Sequence, residues 1–139
     1  MKRAVSFLAI VAAVAVPSAG CVLAAKPVTT PSGLIYTVVK KGSGPAARAG
    51  QHVLIHETTS FADGRVLYST RPGGRPLRFL LGGKQVIDGV DEAVTGMRVG
   101  ERRKLIVPPH LSRRTTYPEG LSPDDVLYYD VELVGIDSE

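Results

Sequence analysis

Apolar residues recur at helical spacing in one stretch of the chain, residues 82–100. Its apolar positions fall on one face of a helix with a period of 3.6 residues. They are Val86, Ile87, Val90, Ala93, Val94 and Met97. A helix this short is marginal by itself, so we expect its apolar face to pack against a sheet.

The ends of this helix carry recognisable signals. Asp88 is the predicted N-cap, with Asp91 three residues later as a weak capping-box partner. Gly96 and Gly100 follow the last apolar positions, where a left-handed residue commonly ends a helix.

Elsewhere the pattern is typical of β-strands, with branched and aromatic residues in short runs between turns. The predicted strands are 34–39, 52–59, 66–69, 77–81, 101–107 and 126–136. In the second of them, Val53, Ile55 and Glu57 share one face. In the last, Tyr129 and Val131 share one face while Asp130 lies on the other. The pattern predicts an α+β fold, with an antiparallel sheet of about five strands wrapped on one short helix.

Residues 108–125 have no periodicity. A long segment without regular structure inside a compact domain is usually functional. We therefore expect this loop to contribute to a binding site.

The N-terminal residues are typical of an export signal. Lys2 and Arg3 precede an apolar run at 4–16, and small residues follow it. A transmembrane anchor is the alternative, but it needs about 20 apolar residues. We predict a signal peptide at 1–25, a linker at 26–32 and one folded domain at 33–137, placed in the cell envelope or periplasm.

Two modes of cleavage remain open. Ser18-Ala19-Gly20-Cys21 resembles a lipobox, whose cysteine is lipidated and becomes the mature N-terminus; the serine stands where a branched residue is commoner. Ordinary cleavage after Ala24 or Ala25 is the rival. Cys21 is the only cysteine, so no intrachain disulfide can form.

Composition removes several classes of function. The net charge is +4, and half of it comes from Lys2 and Arg3, so no nucleic-acid partner is indicated. His52, His56 and His110 lack convergent ligand spacing, so neither a metal nor another cofactor is expected. A membrane partner is expected only through a lipid on Cys21.

The order of the motifs carries a family resemblance. The motifs are Thr30-Pro31-Ser32-Gly33-Leu34, Val53-x-Ile55-His56, Ala62-Asp63-Gly64, Pro76-Leu77-Arg78-Phe79, Gln85-Val86-Ile87-x-Gly89, Gly96-Met97-x-Val99-Gly100-Glu101 and Tyr129-Asp130-Val131-Glu132-Leu133. Over residues 30–137 the chain resembles an FKBP-type peptidyl-prolyl cis-trans isomerase of the kind exported by bacteria. The resemblance implies a half-barrel sheet around one helix, with a pocket between them for an X-Pro bond.

The resemblance also implies site residues. A backbone amide at the step from Val86 to Ile87 is expected to bind the substrate carbonyl, and Tyr129 to form an aromatic wall. The other implied substrate-binding residues are Leu67, Leu77, Phe79, Val90, Arg113 and Leu121.

Several of these residues depart from the family pattern. Val90 replaces a tryptophan at the pocket floor, and Leu67 and Leu77 replace phenylalanines. Arg113 stands near a pocket tyrosine, with an alignment uncertain by one residue. Aromatic side chains bury more area and fix ligand geometry better than aliphatic ones. We therefore expect a wider pocket and reduced activity.

Glu57 and Tyr68 match a tyrosine and an aspartate that bond across the family's pocket. We expect the carboxylate and the phenol to have exchanged positions and to hydrogen-bond to each other. The alternative is that Glu57 faces solvent or pairs with an arginine, because an unpaired carboxylate in an apolar pocket is costly.

Two functions follow from these expectations. The first is a monomeric prolyl isomerase, of low activity, that assists the folding of exported proteins by acting on X-Pro segments of unfolded chains. The second is a binding module or chaperone for extended peptides or a protein partner, in which catalysis has been lost.

Overall fold

A computed structural model describes residues 25–137. The predicted lipidation site at Cys21 and the rest of the predicted signal peptide before Ala25 lie outside the described residues. Within 25–137, no helix has the length and apolar character needed to cross a bilayer.

The described residues form seven β-strands and one α-helix. The strands are β1 (Val28–Thr29), β2 (Ile35–Lys40), β3 (His52–Ser60), β4 (Val66–Ser69), β5 (Leu77–Leu80), β6 (Arg102–Val107) and β7 (Leu127–Asp137). The helix α1 spans Asp88–Val94, and a single 3₁₀ turn spans Pro109–Leu111.

All strand pairs are antiparallel, and the sheet runs in the order β1-β2-β6-β7-β3-β4, with β5 also paired to β3. The sheet stays open because β1 and β4 lie at opposite ends of this order. The α+β prediction is confirmed, although the sheet has seven strands rather than about five.

The predicted strand faces are confirmed. On β3 the inward positions Val53, Ile55 and Glu57 are buried and alternate with half-buried ones. On β7 Tyr129 and Val131 are buried, whereas Asp130 is half-buried on the other face. A period of two therefore places Glu57 and Tyr129 on the same side of the sheet as the helix.

The helix packs closely on β6 because it carries a glycine at the contact. A Cβ atom on Gly89 would lie 2.7 Å from Val107 Cγ1 and 3.3 Å from the Leu111 carbonyl oxygen. Val90 and Val94, on the same helix, are buried in the core.

The predicted N-cap at Asp88 was wrong. Ile87 is the N-cap, with extended backbone angles, and Asp88 is the first helical residue. Because an isoleucine side chain cannot accept a hydrogen bond, no side-chain cap exists at this end. Asp91 is used differently from the prediction, since its carboxylate accepts the Gly82 N–H at 2.7 Å. Gly96 and Gly100 do adopt positive φ angles, as expected.

Arg103 connects the end of the helix to the sheet. Its guanidinium donates to the Ala93 carbonyl oxygen at 3.0 Å, pairs with Glu101, and lies 4.4 Å from the centre of the Tyr36 ring. A planar guanidinium can make all three contacts together, which fixes the position of α1 over β2 and β6.

The predicted linker at 26–32 contains regular structure. Val28 and Thr29 form β1, pairing with Tyr36 and Ile35 of β2. The sheet therefore begins before the predicted domain boundary at residue 33.

Candidate functional site

A cleft of about 470 Å³ opens between the N-terminal end of α1, the sheet and the loop after β6. Its volume lies in the range typical of small-ligand pockets. The lining residues are Glu57, Leu77, Lys84, Gln85, Val86, Ile87, Val90, Arg113, Arg114, Thr115, Thr116 and Tyr129.

The apolar part of this cleft comes from three elements. Val86, Ile87 and Val90 line it from the helix side, Leu77 from β5, and Tyr129 from β7. Val90 is 1% exposed, so it forms part of the floor rather than the rim. These side chains offer an apolar surface to a ring or aliphatic group.

A backbone donor of one lining residue, Ile87, has no partner among the described residues. The Ile87 carbonyl oxygen accepts from the N–H groups of Val90 and Asp91, but the Ile87 N–H makes no hydrogen bond within residues 25–137. Ile87 also stands before the helix, where N–H groups have no intrahelical acceptor. The cleft therefore combines an apolar floor with a free amide donor.

The turn before the helix is held by side-chain contacts to the backbone. Gln85 accepts the Leu80 N–H at 2.9 Å, and Asp91 accepts the Gly82 N–H at 2.7 Å. Within this turn, Lys84 has a φ of 56°, a left-handed conformation that is rare for a residue with a side chain.

Three polar side chains meet at the sheet side of the cleft. The Arg114 guanidinium donates to the Tyr129 hydroxyl at 3.0 Å, and its Nε is buried without an acceptor in the described part of the chain. Burial raises the pKa of the Glu57 carboxyl above 4.5, and the charge of Arg114 opposes that shift. Burial also raises the pKa of the Tyr129 phenol above 10.0, so Tyr129 keeps its proton at neutral pH.

A second depression of about 410 Å³ adjoins this group. It shares Glu57, Arg114 and Tyr129 with the main cleft and adds Thr59, Leu67, Tyr68 and Pro118. An extended ligand lying in the main cleft can therefore continue along the sheet toward β4.

The predicted site residues divide into three groups. Glu57, Leu77, Val86, Ile87, Val90, Arg113 and Tyr129 line the main cleft. Leu67 and Tyr68 line only the adjoining depression. Phe79 and Leu121 line neither cavity and are buried in the hydrophobic core.

Glu57 and Tyr68 both lie in the described part of the chain, and the predicted hydrogen bond between their side chains does not form. The pairing of β3 with β4 sets Tyr68 opposite Thr59 rather than Glu57, and the tyrosine side chain is 50% exposed. Glu57 instead lies near Arg114, whose charge lowers its pKa. The alternative, an arginine beside the carboxylate, describes the site better.

Sequence reasoning missed Arg114, Lys84, Gln85, Thr115 and Thr116. Arg114 follows the predicted Arg113 by one residue, which is the uncertainty of that assignment. No periodicity marks loop residues that turn toward a cleft, and only the contact with Tyr129 distinguishes Arg114. Among the described residues, no group of histidine, cysteine and carboxylate side chains could hold a metal ion.

Comparison with known proteins agrees with this geometry. The sequence model of the family described as FKBP-type peptidyl-prolyl cis-trans isomerase matches residues 44–134. FK506-binding protein 2 of Yarrowia lipolytica is 37% identical over 108 residues, covering 77% of this chain and 75% of the relative. An FK506-binding protein of Streptomyces anulatus is 38% identical over 109 residues, covering 76% of this chain and 88% of the relative.

Solved structures show the same arrangement. FkpA from Escherichia coli superposes with a TM-score of 0.71 at 32% identity, over 79% of this chain and 51% of that one, so the chain spans about half of FkpA. AtFKBP13 superposes with a TM-score of 0.69 at 30% identity, over 79% of this chain and 98% of that one. The sheet, the cleft and both comparisons place the chain in the family of FKBP-type peptidyl-prolyl cis-trans isomerases.

Proposed function

We propose that the protein isomerises X-Pro bonds in extended segments of exported proteins and so assists their folding. The observation that carries this proposal is the free Ile87 N–H beside the apolar floor of a cleft of about 470 Å³. The donor suits a peptide carbonyl, and the apolar floor suits a proline ring.

The chemistry is physical rather than covalent. Resonance gives an amide a rotational barrier of roughly 20 kcal/mol, and the twisted bond loses that resonance. The twisted bond is also less polar than the planar one. An apolar floor at Val90 and Leu77 therefore favours it over the planar ground state, and such differential binding accelerates the reaction.

The Ile87 N–H keeps the substrate in place during rotation. When its carbonyl accepts this hydrogen bond, one side of the X-Pro bond is fixed while the other turns. Tyr129, with its hydroxyl bonded to Arg114, supplies a rigid wall on the sheet side. None of these steps needs a nucleophile, a metal or an acid-base group.

We expect the rate to be low for this family. Val90 and Leu77 are aliphatic, and aliphatic side chains bury less area against a proline ring than aromatic ones do. The same feature supports a second candidate function, in which the cleft binds extended peptides as a chaperone or docks a protein partner without catalysis.

The cellular placement is part of the proposal and rests on the N-terminal sequence. Lys2, Arg3 and the apolar run at 4–16 favour export to the cell envelope. Lipidation of Cys21 would anchor the protein to the periplasmic face of a membrane, and we expect a monomer there. Mass spectrometry of the mature N-terminus distinguishes a lipid on Cys21 from cleavage after Ala24 or Ala25.

A protease-coupled assay on a short X-Pro peptide tests the activity. We expect the purified protein, at micromolar concentration, to accelerate isomerisation, and Tyr129→Ala to reduce the effect. Tyr128→Ala is the matched control, because Tyr128 is the neighbouring tyrosine on β7, points to the opposite face and is 37% exposed. If the folded protein binds the peptide but does not accelerate its isomerisation, the isomerase proposal is wrong and the binding module is supported.

A further inference from the structure

The main cleft has an excess of cationic side chains. Lys84, Arg113 and Arg114 line it, whereas Glu57 is its single carboxylate. Glu57 is 9% exposed and lies beside Arg114. A negative charge on Glu57 therefore offsets the charge of Arg114 rather than the charges of Lys84 and Arg113. Lys84 and Arg113 are both exposed, and they give the rim of the cleft a positive potential.

These two rim cations have no acidic partner among the residues that the structure describes. Within residues 25–137, neither Lys84 nor Arg113 makes an ion pair or a side-chain hydrogen bond. By contrast, Arg71 and Arg102 each pair with a carboxylate of β7, and Arg103 pairs with Glu101. Lys84 and Arg113 therefore present their charges at the cleft with no carboxylate of the described residues paired to them.

The backbone at Lys84 shows a further sign of function. A φ of 56° is strained for a residue with a Cβ atom, a strain that glycine would avoid. Gly82 and Gly83 stand directly before it, yet the residue at this position is a lysine. Backbone strain that is kept in a native structure concentrates at binding sites.

Lys84 is also close in sequence to the free donor. Gln85 and Val86 alone separate it from Ile87, and all four residues line the cleft. A peptide whose carbonyl accepts the Ile87 N–H would place the side chains that flank its proline near the rim. Arg113 faces the same space from the loop after β6.

We propose that the cleft selects X-Pro segments that carry an acidic side chain next to the proline. This inference rests on the proposed function, because it names the substrate class of the same cleft. Lys84 and Arg113 act as specificity residues, attracting a glutamate or aspartate beside the proline and repelling a lysine or arginine. Opposite charges about 4 Å apart in water attract enough for a preference of roughly fivefold.

Matched peptides test the preference. Three peptides differ only in the residue before the proline, which is glutamate, glutamine or lysine, and a second set varies the residue after it. Binding is measured by fluorescence anisotropy, and the catalysed rate is measured in parallel. In at least one set we expect glutamate to be favoured over glutamine about threefold or more and lysine to be disfavoured, with the preference lost in about 1 M NaCl.

Variants assign the preference to the rim. We expect Lys84→Gln combined with Arg113→Gln to bring the ratio of glutamate to glutamine peptides close to one. Lys41→Gln combined with Arg48→Gln is the control, because it removes the same two positive charges from exposed loop residues outside the cleft. If the double variant does not fold, the salt dependence of the wild-type ratio decides the question.

The results separate this inference from the proposed function. Glutamate and glutamine peptides bound equally well in both sets, or a preference that Lys84 and Arg113 do not control, would overturn the inference while a catalysed rate still supports the isomerase. Selective binding of acidic peptides with no catalysed rate would support the selection and reject the isomerase.

Discussion

The Arg114 guanidinium donates a hydrogen bond of 3.0 Å to the Tyr129 hydroxyl, joining the loop after β6 to the sheet wall of the cleft. The same guanidinium is the charge that opposes the raised pKa of Glu57. One loop residue therefore affects both the aromatic wall and the single carboxylate of the site.

Replacing Arg114 should raise the pKa of Glu57 further. In Arg114→Gln the carboxyl stays buried but loses the nearby positive charge, so its neutral form is favoured more strongly. NMR titration of the Glu57 side-chain carboxyl carbon measures the change directly. Arg113→Gln is the control, because Arg114 rather than Arg113 lowers the pKa of Glu57. An unchanged titration in Arg114→Gln would show that the two groups do not interact.

Glu57 should make stability depend on pH. The pKa of Glu57 is 4.5 in the unfolded chain and higher in the folded protein. Between these two pH values the folded protein therefore holds a proton that the unfolded chain releases. Its contribution to the free energy of unfolding therefore decreases as pH rises through this window. We expect Glu57→Gln to be more stable than the wild type near neutral pH, with the difference disappearing below 4.5. Urea unfolding at several pH values measures the free energy of unfolding of both proteins. A difference between them that does not change with pH would show that the pKa of Glu57 is not raised in the folded protein.

The free amide at Ile87 can be removed by a proline, whose ring fits the backbone angle at this position. Ile87 has a φ of −60°, close to the value that proline imposes, and proline has no N–H. We expect Ile87→Pro to lower kcat/KM for an X-Pro peptide about tenfold, the effect of losing one hydrogen bond worth up to about 1.5 kcal/mol. Ile87→Ala keeps the donor while shortening the side chain, so it should lose less. Equal losses of kcat/KM in the two variants would show that the Ile87 N–H does not contribute to catalysis.

A methyl group at Gly89 should destabilise the fold although alanine favours helices. The new Cβ would meet Val107 Cγ1 at 2.7 Å, and Val107 is fully buried, so the helix must move. Overpacking of this kind costs about 1–3 kcal/mol, more than the gain of up to 1 kcal/mol in helix propensity. We expect Gly89→Ala to lower the free energy of unfolding, with partial rescue by Val107→Ala.

Gly73→Ala is the control for this pair. Its Cβ would meet nothing closer than 3.9 Å, and its φ is outside the left-handed range. A neutral Gly89→Ala would mean that the helix and β6 are not in close contact.

A larger aromatic floor should strengthen proline binding. Val90 lies at the base of the cleft, and Val90→Trp would place a ring against the bound proline. The gain expected from an added aromatic contact is about 0.5–1.5 kcal/mol, or roughly twofold to twelvefold in affinity. Peptide titration measures it. Val94→Trp, at a buried helix residue outside the cleft, controls for the overpacking that both substitutions cause and should give no gain in affinity.

The fold could be predicted where a short period repeats. Alternation on β3 and β7 placed Glu57 and Tyr129 on the buried face, because every second side chain of a strand points the same way. Strand β1 could not be predicted, since two residues show no period and Val28 is ordered by pairing with Tyr36. The N-cap was missed because Ile87 ends the turn through its backbone angles, which its side chain does not signal.

The site could be predicted only where it lies on regular elements or follows the family's motifs. Val86, Ile87 and Val90 were found through the helix and the motif before it. Arg114 was missed because nothing local in a loop without periodicity decides which side chain turns inward. Tyr68 was misplaced because its partner depends on the register of β3 and β4, which a β-bulge shifts next to it.

Exchange NMR of an X-Pro peptide tests the central claim most directly, because it observes both isomers at once. With a catalytic amount of the purified protein, we predict exchange peaks between the cis and trans forms, together with a chemical-shift change at the Ile87 amide. Ile87→Pro should weaken the exchange peaks, and Ile87→Ala should retain more of them. Isomers that remain in slow exchange, with no change at Ile87, would contradict the account.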